Sequence, residues 1–236
     1  MALQHDVQPN HLRPTAELAE RVLLPGDPGR ALAVAQVLLD PAPRMFNHAR
    51  GLWGYTGTAP DGELLTVQAT GMGGPSAAIV FEELIGLGAK RLVRIGTCGA
   101  LDPDVGLGTL LAAERVLPAD GASRALGADA PLEPDAGMLA RLVAAGARPA
   151  TVVSSDLFYD PREETAAGWV EQGAVAVEME AATLLRIAGL RGVEAACVLG
   201  VSDIASADGA RRMTQEELEE LGVRVGEAGY AAVTSP

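Results

Sequence analysis

Five apolar runs in this chain each stop at a glycine or a small polar residue, after Leu24, Ala69, Ile95, Val177 and Val201. Short apolar runs bounded by turn residues read as buried strands. Strands that alternate with helical segments imply a layered α/β domain. In an open α/β sheet the ligand sits beyond the carboxyl ends of the strands. Several of these ends are therefore expected to line one pocket.

The rest of the chain fits between them. Residues 31–39, 76–87, 137–145, 163–171, 180–188 and 214–232 read as helices. Residues 53–58 and 64–69 form a hairpin around the Asp61-Gly62 turn, and 91–95, 151–153, 174–177 and 195–201 read as strands. Residues 112–134 read as irregular, with one strand around Val116. There is no repeat, low-complexity stretch or linker, so residues 1–236 are expected to form a single domain.

Composition excludes several function classes. The chain has 236 residues, and 18 basic against 31 acidic side chains give a net charge of −13. Nucleic acid and anionic membranes need a basic face, so neither is an expected partner. Hydrophobic residues make up 48% and aromatics 3%, so Ala, Val, Leu and Gly must build the core. The two cysteines, Cys98 and Cys197, lie in apolar runs without a CxxC, as buried thiols do in a reducing compartment. His5, His11 and His48 lack the spacing of a helical metal site, so no metal is expected. No apolar run approaches the ~20 residues that span a bilayer. The first 17 residues are polar, without the apolar core of a signal peptide. A cytoplasmic location is the expectation.

The strand-end segments carry the chemistry. Gly26-Asp27-Pro28-Gly29-Arg30 offers backbone N–H groups and an arginine at a helix start, a combination that suits an anion; taken alone, the loop fits an ordinary turn with a solvated Arg30 better, since glycine–proline turns are common. Arg94 lies inside an apolar strand, where a charge is costly unless paired or bound. It either meets a carboxylate in the core or clamps an oxyanion beside Thr97. Glu178 and Glu180 straddle a strand-to-helix junction; Glu180 either caps that helix or accepts hydrogen bonds from a sugar diol. Asp203 ends the last apolar strand, as a turn residue or as a general acid. Of the 18 basic residues all but Lys90 are arginines, whose planar forks grip oxyanions.

In order along the chain, Leu24-Pro25-Gly26-Asp27-Pro28-Gly29-Arg30, Asn47-His48-Ala49-Arg50-Gly51, Gly71-Met72-Gly73, Arg94-Ile95-Gly96-Thr97-Cys98-Gly99, Ser155-Asp156-Leu157-Phe158-Tyr159, Val177-Glu178-Met179-Glu180-Ala181-Ala182 and Val201-Ser202-Asp203 resemble the motifs of hexameric bacterial purine nucleoside phosphorylases. Uridine phosphorylases share that family. The resemblance runs from about His11 to the terminal helix. It implies a three-layer α/β/α phosphorylase/hydrolase-like fold with a central mixed β-sheet. It also implies reversible phosphorolysis of purine nucleosides to free base and pentose 1-phosphate. No metal or organic cofactor is implied, only inorganic phosphate as co-substrate.

Residue by residue, Gly26, Arg30, Arg94 and Thr97 match phosphate-binding positions, and Arg50 matches an arginine reaching the phosphate of a neighbouring subunit. Glu180 matches the acid on the ribose 2′- and 3′-hydroxyls. Met179 and Met72 match residues lining the sugar, Phe158 an aromatic wall beside the base, and Asp203 the acid that protonates the purine N7. Glu178 joins the nucleoside-binding set. His11, with His5 as its competitor, matches a histidine reaching the 5′-hydroxyl of the adjacent site. A homo-oligomer with shared sites, a hexamer as a trimer of dimers, follows from the resemblance.

Uridine phosphorylase is the alternative. Those enzymes read uracil with a Gln and an Arg at positions held here by Arg162 and Glu164, and generally lack an acid at Asp203. Residues 180–185 do resemble them. The related hydrolases of methylthioadenosine lack the loop that Gly26 to Arg30 supplies, and a binding protein without catalysis would not need Asp203. Well-matched purine enzymes carry an arginine thirteen residues after the acid. Here that residue is Glu216, and Arg211 and Arg212 are the candidates to replace it.

Overall fold

The computed structural model describes residues 8–204 and 211–234; His5 lies outside them. The chain opens with strand β1 (Arg21–Leu24), fully buried, and helix α1 (Pro28–Leu38). Asp27 caps α1 by accepting the Arg30 N–H, and Pro28 occupies the first turn, where its missing N–H costs nothing. Strands β2 (Arg44–Asn47), β3 (Gly54–Thr58) and β4 (Leu64–Gln68) form an antiparallel meander. Helix α2 (Gly74–Gly86) leads to the long strand β5 (Arg91–Ala100), then β6 (Leu110–Pro118), α3 (Gly121–Ala125) and α4 (Ala136–Ala144). Strand β7 (Arg148–Ser154), α5 (Glu163–Glu171), β8 (Ala176–Glu178) and α6 (Ala181–Arg191) follow. The chain closes with β9 (Glu194–Ile204), β10 (Arg211–Arg212) and α7 (Gln215–Val233), the last opened by a Thr214/Glu217 capping box.

The ten strands of the described residues belong to one mixed sheet in the order β10-β9-β6-β7-β8-β5-β1-β4-β3-β2, with an added β9–β5 pairing. That pairing closes β5, β8, β7, β6 and β9 into a ring. Side chains alternate across each strand. Leu23, Val93 and Ile95 face the layer of α1, α4 and α7, whereas Val22, Leu24 and Leu92 face that of α2, α3 and α6. Three layers result.

Several expectations need correction. Residues 96–99 and 202–204 were expected as loops, but they continue β5 and β9, because the two strands pair in parallel from Arg91↔Glu194 to Ala100↔Ile204. The stretch 112–134 is not largely irregular: β6 spans nine residues and α3 follows it. Strand β6 is held between β7 and β9, a tertiary pairing that local propensity does not reveal. Strands β2 and β10 were also missed; β10 has only two residues, both arginine.

Candidate active site

Strand ends from both halves of the sheet converge on a cavity of about 560 Å³. Its lining includes Gly26, Arg30, Met72, Arg94, Thr97, Phe158, Glu178, Met179, Glu180 and Asp203. Ten of the twelve residues singled out from the sequence thus meet in one place. The other two, His11 and Arg50, do not line it.

Arg94 organises the floor. Its strand position buries it to 5% exposure, and it is paired twice. Nε donates to Glu178 Oε2 at 3.0 Å, and Nη2 pairs with Glu180 Oε2. Burial alone would lower the guanidinium pKa; the Glu180 and Glu178 carboxylates outweigh it and raise it. The remaining nitrogen, Nη1, is buried without a hydrogen-bond partner. A Cβ placed on Gly26 would lie 3.9 Å from Nη1, so the glycine keeps open the space beside that unused donor. The guanidinium lies across Gly96, where a Cβ would come within 3.1 Å of Nη2. Of the two alternatives for Arg94, the structure has the carboxylate partners in the core, and it leaves Nη1 without one.

Glu178, not Glu180, caps α6. Its Oε1 accepts the Ala181 N–H at 2.9 Å and the Ser154 hydroxyl, and its Oε2 accepts the Glu180 N–H at 2.9 Å. Ser154 Oγ in turn accepts the Ala182 N–H at 2.8 Å. The Glu178 carboxylate therefore fixes the helix start and holds Arg94. Ser154 was missed in the sequence because it ends β7, and only the β7–β8 register brings it opposite Glu178.

Glu180 lines the cavity with both carboxylate oxygens engaged, Oε2 by Arg94. It sits at the N-cap of α6 without a side-chain cap bond. Its Oε1 accepts the Gly73 N–H at 2.5 Å. Burial pushes its pKa up, Arg94 pulls it down, and Glu178 pushes it up again, with a net rise. Arg30 lies at the same end. Burial, and then the Arg94 charge, lower its pKa. Its stem packs on α7 at Gly222, where a Cβ would approach Cγ to 3.3 Å.

Asp203 stands at the other end. A register shift between β5 and β9 sets Cys98 opposite Val201 and Gly99 opposite Asp203, so Ser202 is the extra residue of a bulge. Bulges re-aim side chains. The Asp203 carboxylate lies over Gly99, where a Cβ would sit 2.8 Å from Oδ2, and Ser202 Oγ donates to Oδ1 at 2.9 Å. Strand β10 places Arg212 directly opposite Asp203, and Arg211 opposite Ile204. Arg212 also lines the cavity, with Cζ 5.7 Å from the Phe158 ring centroid. Phe158 and Tyr159 meet edge to face at 4.9 Å, with Phe158 58% exposed and Met72 84% exposed at the mouth.

His11 and Arg50 lie elsewhere. His11 Nδ1 is 2.7 Å from Glu83 Oε1, and Glu83 also accepts the N–H groups of Asn10, His11 and Leu12. Arg50 is exposed and is the only non-glycine residue with positive φ (59°) among the described residues. Cys98 and Cys197 are free and buried, and burial pushes both thiols up, out of the reactive range. Among the described residues no cluster of three or more His, Cys, Asp or Glu could hold a metal ion, and no helix is long and apolar enough to cross a membrane.

The mixed α/β sheet thus gathers at one cavity a buried arginine with one unpartnered nitrogen, a buried carboxylate and a second acid, the place and kind of side chains of a small-molecule site. The family model described as "Phosphorylase superfamily" matches residues 20–235. Relatives include the DeoD-type purine nucleoside phosphorylase of Geobacillus kaustophilus, 38% identical over 80% of this chain and 83% of its own length. Proteins of the same name from Caldanaerobacter subterraneus (37%, over 79% and 84%) and Clostridium beijerinckii (38%, over 80% and 83%) are similar to the same degree. The chain belongs to the phosphorylase superfamily.

Proposed function

We propose that the chain catalyses reversible phosphorolysis of purine nucleosides, releasing the base and forming pentose 1-phosphate. The observation that carries this is Arg94 Nη1, a buried donor without a partner beside Gly26 and within reach of the Arg30 turn. A phosphate oxygen supplies the acceptor it lacks. Gly26, Arg30, Arg94 and Thr97 hold phosphate below the sugar. Glu180 accepts from the 2′- and 3′-hydroxyls, Met72 and Met179 pack on the ribose, and Phe158 stacks beside the base. Glu178 acts through Arg94 and the start of α6.

The chemistry then follows from charge. As the C1′–N9 bond breaks, its electron pair goes to the base and positive charge builds on the sugar. The phosphate dianion stabilises that charge and forms the new C1′–O bond. Asp203 gives a proton to N7, so the base leaves neutral. Phosphate is the co-substrate, and the reaction requires no metal or organic cofactor. The relatives' names and the acid at Asp203 favour purines over uridine. A panel of adenosine, inosine, guanosine and uridine, each with and without phosphate, tests the reading. Purine release that needs phosphate, with uridine inert, is expected; equal cleavage of inosine without phosphate contradicts it.

The unit of function is a homo-oligomer, a hexamer by analogy with the family, in a reducing cytoplasm. Arg50 supports this: its left-handed backbone costs ~1–2 kcal/mol, and such strain persists at functional positions. It has no hydrogen bond or ion pair with the described residues, as suits a side chain used by a neighbouring subunit. His11 is assigned likewise to the adjacent 5′-hydroxyl. Sedimentation at assay concentration is expected to show an assembly; a fully active monomer would remove the shared site.

A further inference from the structure

Glu83, near the end of α2, is a buried carboxylate that the reaction above does not use. Three successive backbone N–H groups donate to it from 71 to 73 residues away: Asn10 at 3.0 Å, His11 at 3.0 Å and Leu12 at 2.7 Å. The His11 ring is a fourth partner, with Nδ1 2.7 Å from Oε1. Burial alone would raise the Glu83 pKa; the Leu12 N–H, the His11 ring and the N–H groups of Asn10 and His11 outweigh it and lower it. An ionised carboxylate only accepts, so Nδ1 carries the hydrogen in this bond. In the neutral ring Nε2 is then the acceptor, and Glu83 sets both the tautomer and the ring's direction. The backbone bonds are enough to pin the segment. The ring bond adds the orientation of an imidazole whose side chain is 27% exposed.

Two placements say which cavity that ring can serve. The N–H of Gly73, at the start of α2, binds Glu180 at the sugar seat. Glu83 follows ten residues later, about 15 Å along the helix at 1.5 Å per residue. A ring held on Glu83 does not span that distance to the cavity of its own chain. Asn47 gives the second placement. Its side-chain oxygen accepts the Arg13 N–H at 2.9 Å and the Ala49 N–H at 3.3 Å, which ties the His11 segment to the turn that carries Arg50. The two site residues that miss the cavity are thus joined to each other, placed to act together on a neighbouring copy. We propose that Glu83 is a positioning residue for nucleoside binding: it holds His11 with Nε2 free to accept the hydrogen of a 5′-hydroxyl in the cavity of a neighbouring copy. This rests on the assignment of His11 to that hydroxyl.

The test reads the 5′-hydroxyl as a ratio, kcat/KM for inosine over kcat/KM for 5′-deoxyinosine, on the full chain with saturating phosphate. The wild-type ratio is expected to be about tenfold, the cost of leaving one hydrogen-bond partner unmatched. His11→Ala is expected to bring it near one. Glu83→Gln keeps the side chain's size and one acceptor for the backbone but loses the carboxylate. It is expected to lower the ratio by about threefold or more, and the double variant to fall no further than His11→Ala alone. A Glu83 that only pins the chain slows both substrates alike, so a ratio unmoved in Glu83→Gln overturns the proposal. His11→Gln decides the matter where Glu83→Gln does not fold, because it leaves the backbone bonds to Glu83 in place. Glutamine carries an amide to the place of Nε2 but has no group at Nδ1 for Glu83 to orient. It is expected to recover little of the ratio, and full recovery overturns the proposal. A wild-type ratio near one, or one unmoved in His11→Ala, overturns the assignment of His11 and the proposal with it, while purine phosphorolysis stands.

Discussion

Asp203→Asn lowers kcat/KM for inosine by about 10²-fold or more, the scale of a lost general acid. The substitution is close to isosteric. The amide oxygen still accepts from Ser202, which now donates to Oδ1 at 2.9 Å, and the space above Gly99 stays filled. The fold and the bulge in β9 are therefore expected to persist, with thermal unfolding within a few degrees of the wild type. What is lost is the proton for N7. A nucleoside whose base is already cationic, such as 7-methylinosine, needs no such proton and is expected to react at nearly the wild-type rate. A normal rate of Asp203→Asn with inosine, or an equal loss with both substrates, would remove the acid role from this residue.

The second large effect is expected at Arg94, where a buried ion-pair network and the proposed phosphate contact share one side chain. Arg94→Met leaves Glu178 and Glu180 buried without their cation, the situation that costs about 3–5 kcal/mol when one partner of a buried pair is removed. At about 2–4 °C per kcal/mol for a chain of this size, the melting temperature falls by about 10 °C. Arg94→Lys separates the two roles. It keeps a positive charge near both carboxylates but has no second edge to offer. KM for phosphate is expected to rise by about tenfold or more, the value of a charge-assisted hydrogen bond, with a smaller loss of stability and little change in KM for the nucleoside. An unchanged phosphate KM in Arg94→Lys would mean that Nη1 is not the phosphate donor.

Much of this site was legible because its residues stand at strand ends. An apolar run that stops at a charged or small residue is a local signal that Glu180 and Asp203 carry, whereas Arg94 stands out as a charge inside an apolar run. What local pattern could not give was the pairing of the strands. Residues 96–99 look like a glycine-rich loop, and only the parallel partner β9 makes them a strand. The bulge at Ser202, which aims Asp203, is a property of two registers and not of one segment. Ser154 under Glu178, and Arg212 opposite Asp203, are likewise brought in by pairings between distant segments. Net charge was the least informative guide. The −13 of the chain says nothing of the cavity, and even there Arg94 meets two carboxylates in its own protein. What the cavity offers an anion under the proposed reading is one unpartnered Arg94 nitrogen, with Arg30 also in the lining, and not an excess of basic residues.

The identity of the sugar product tests the central claim most directly. Inosine is incubated with the enzyme and one equivalent of phosphate, and the phosphorus signal is followed by NMR. The account predicts that each hypoxanthine released consumes one phosphate and yields one ribose 1-phosphate, and that no base is released when phosphate is left out. Free ribose in place of the ester, with the phosphate signal unchanged, would show that water is the nucleophile and that the seat around Arg94 Nη1 does not hold the attacking group.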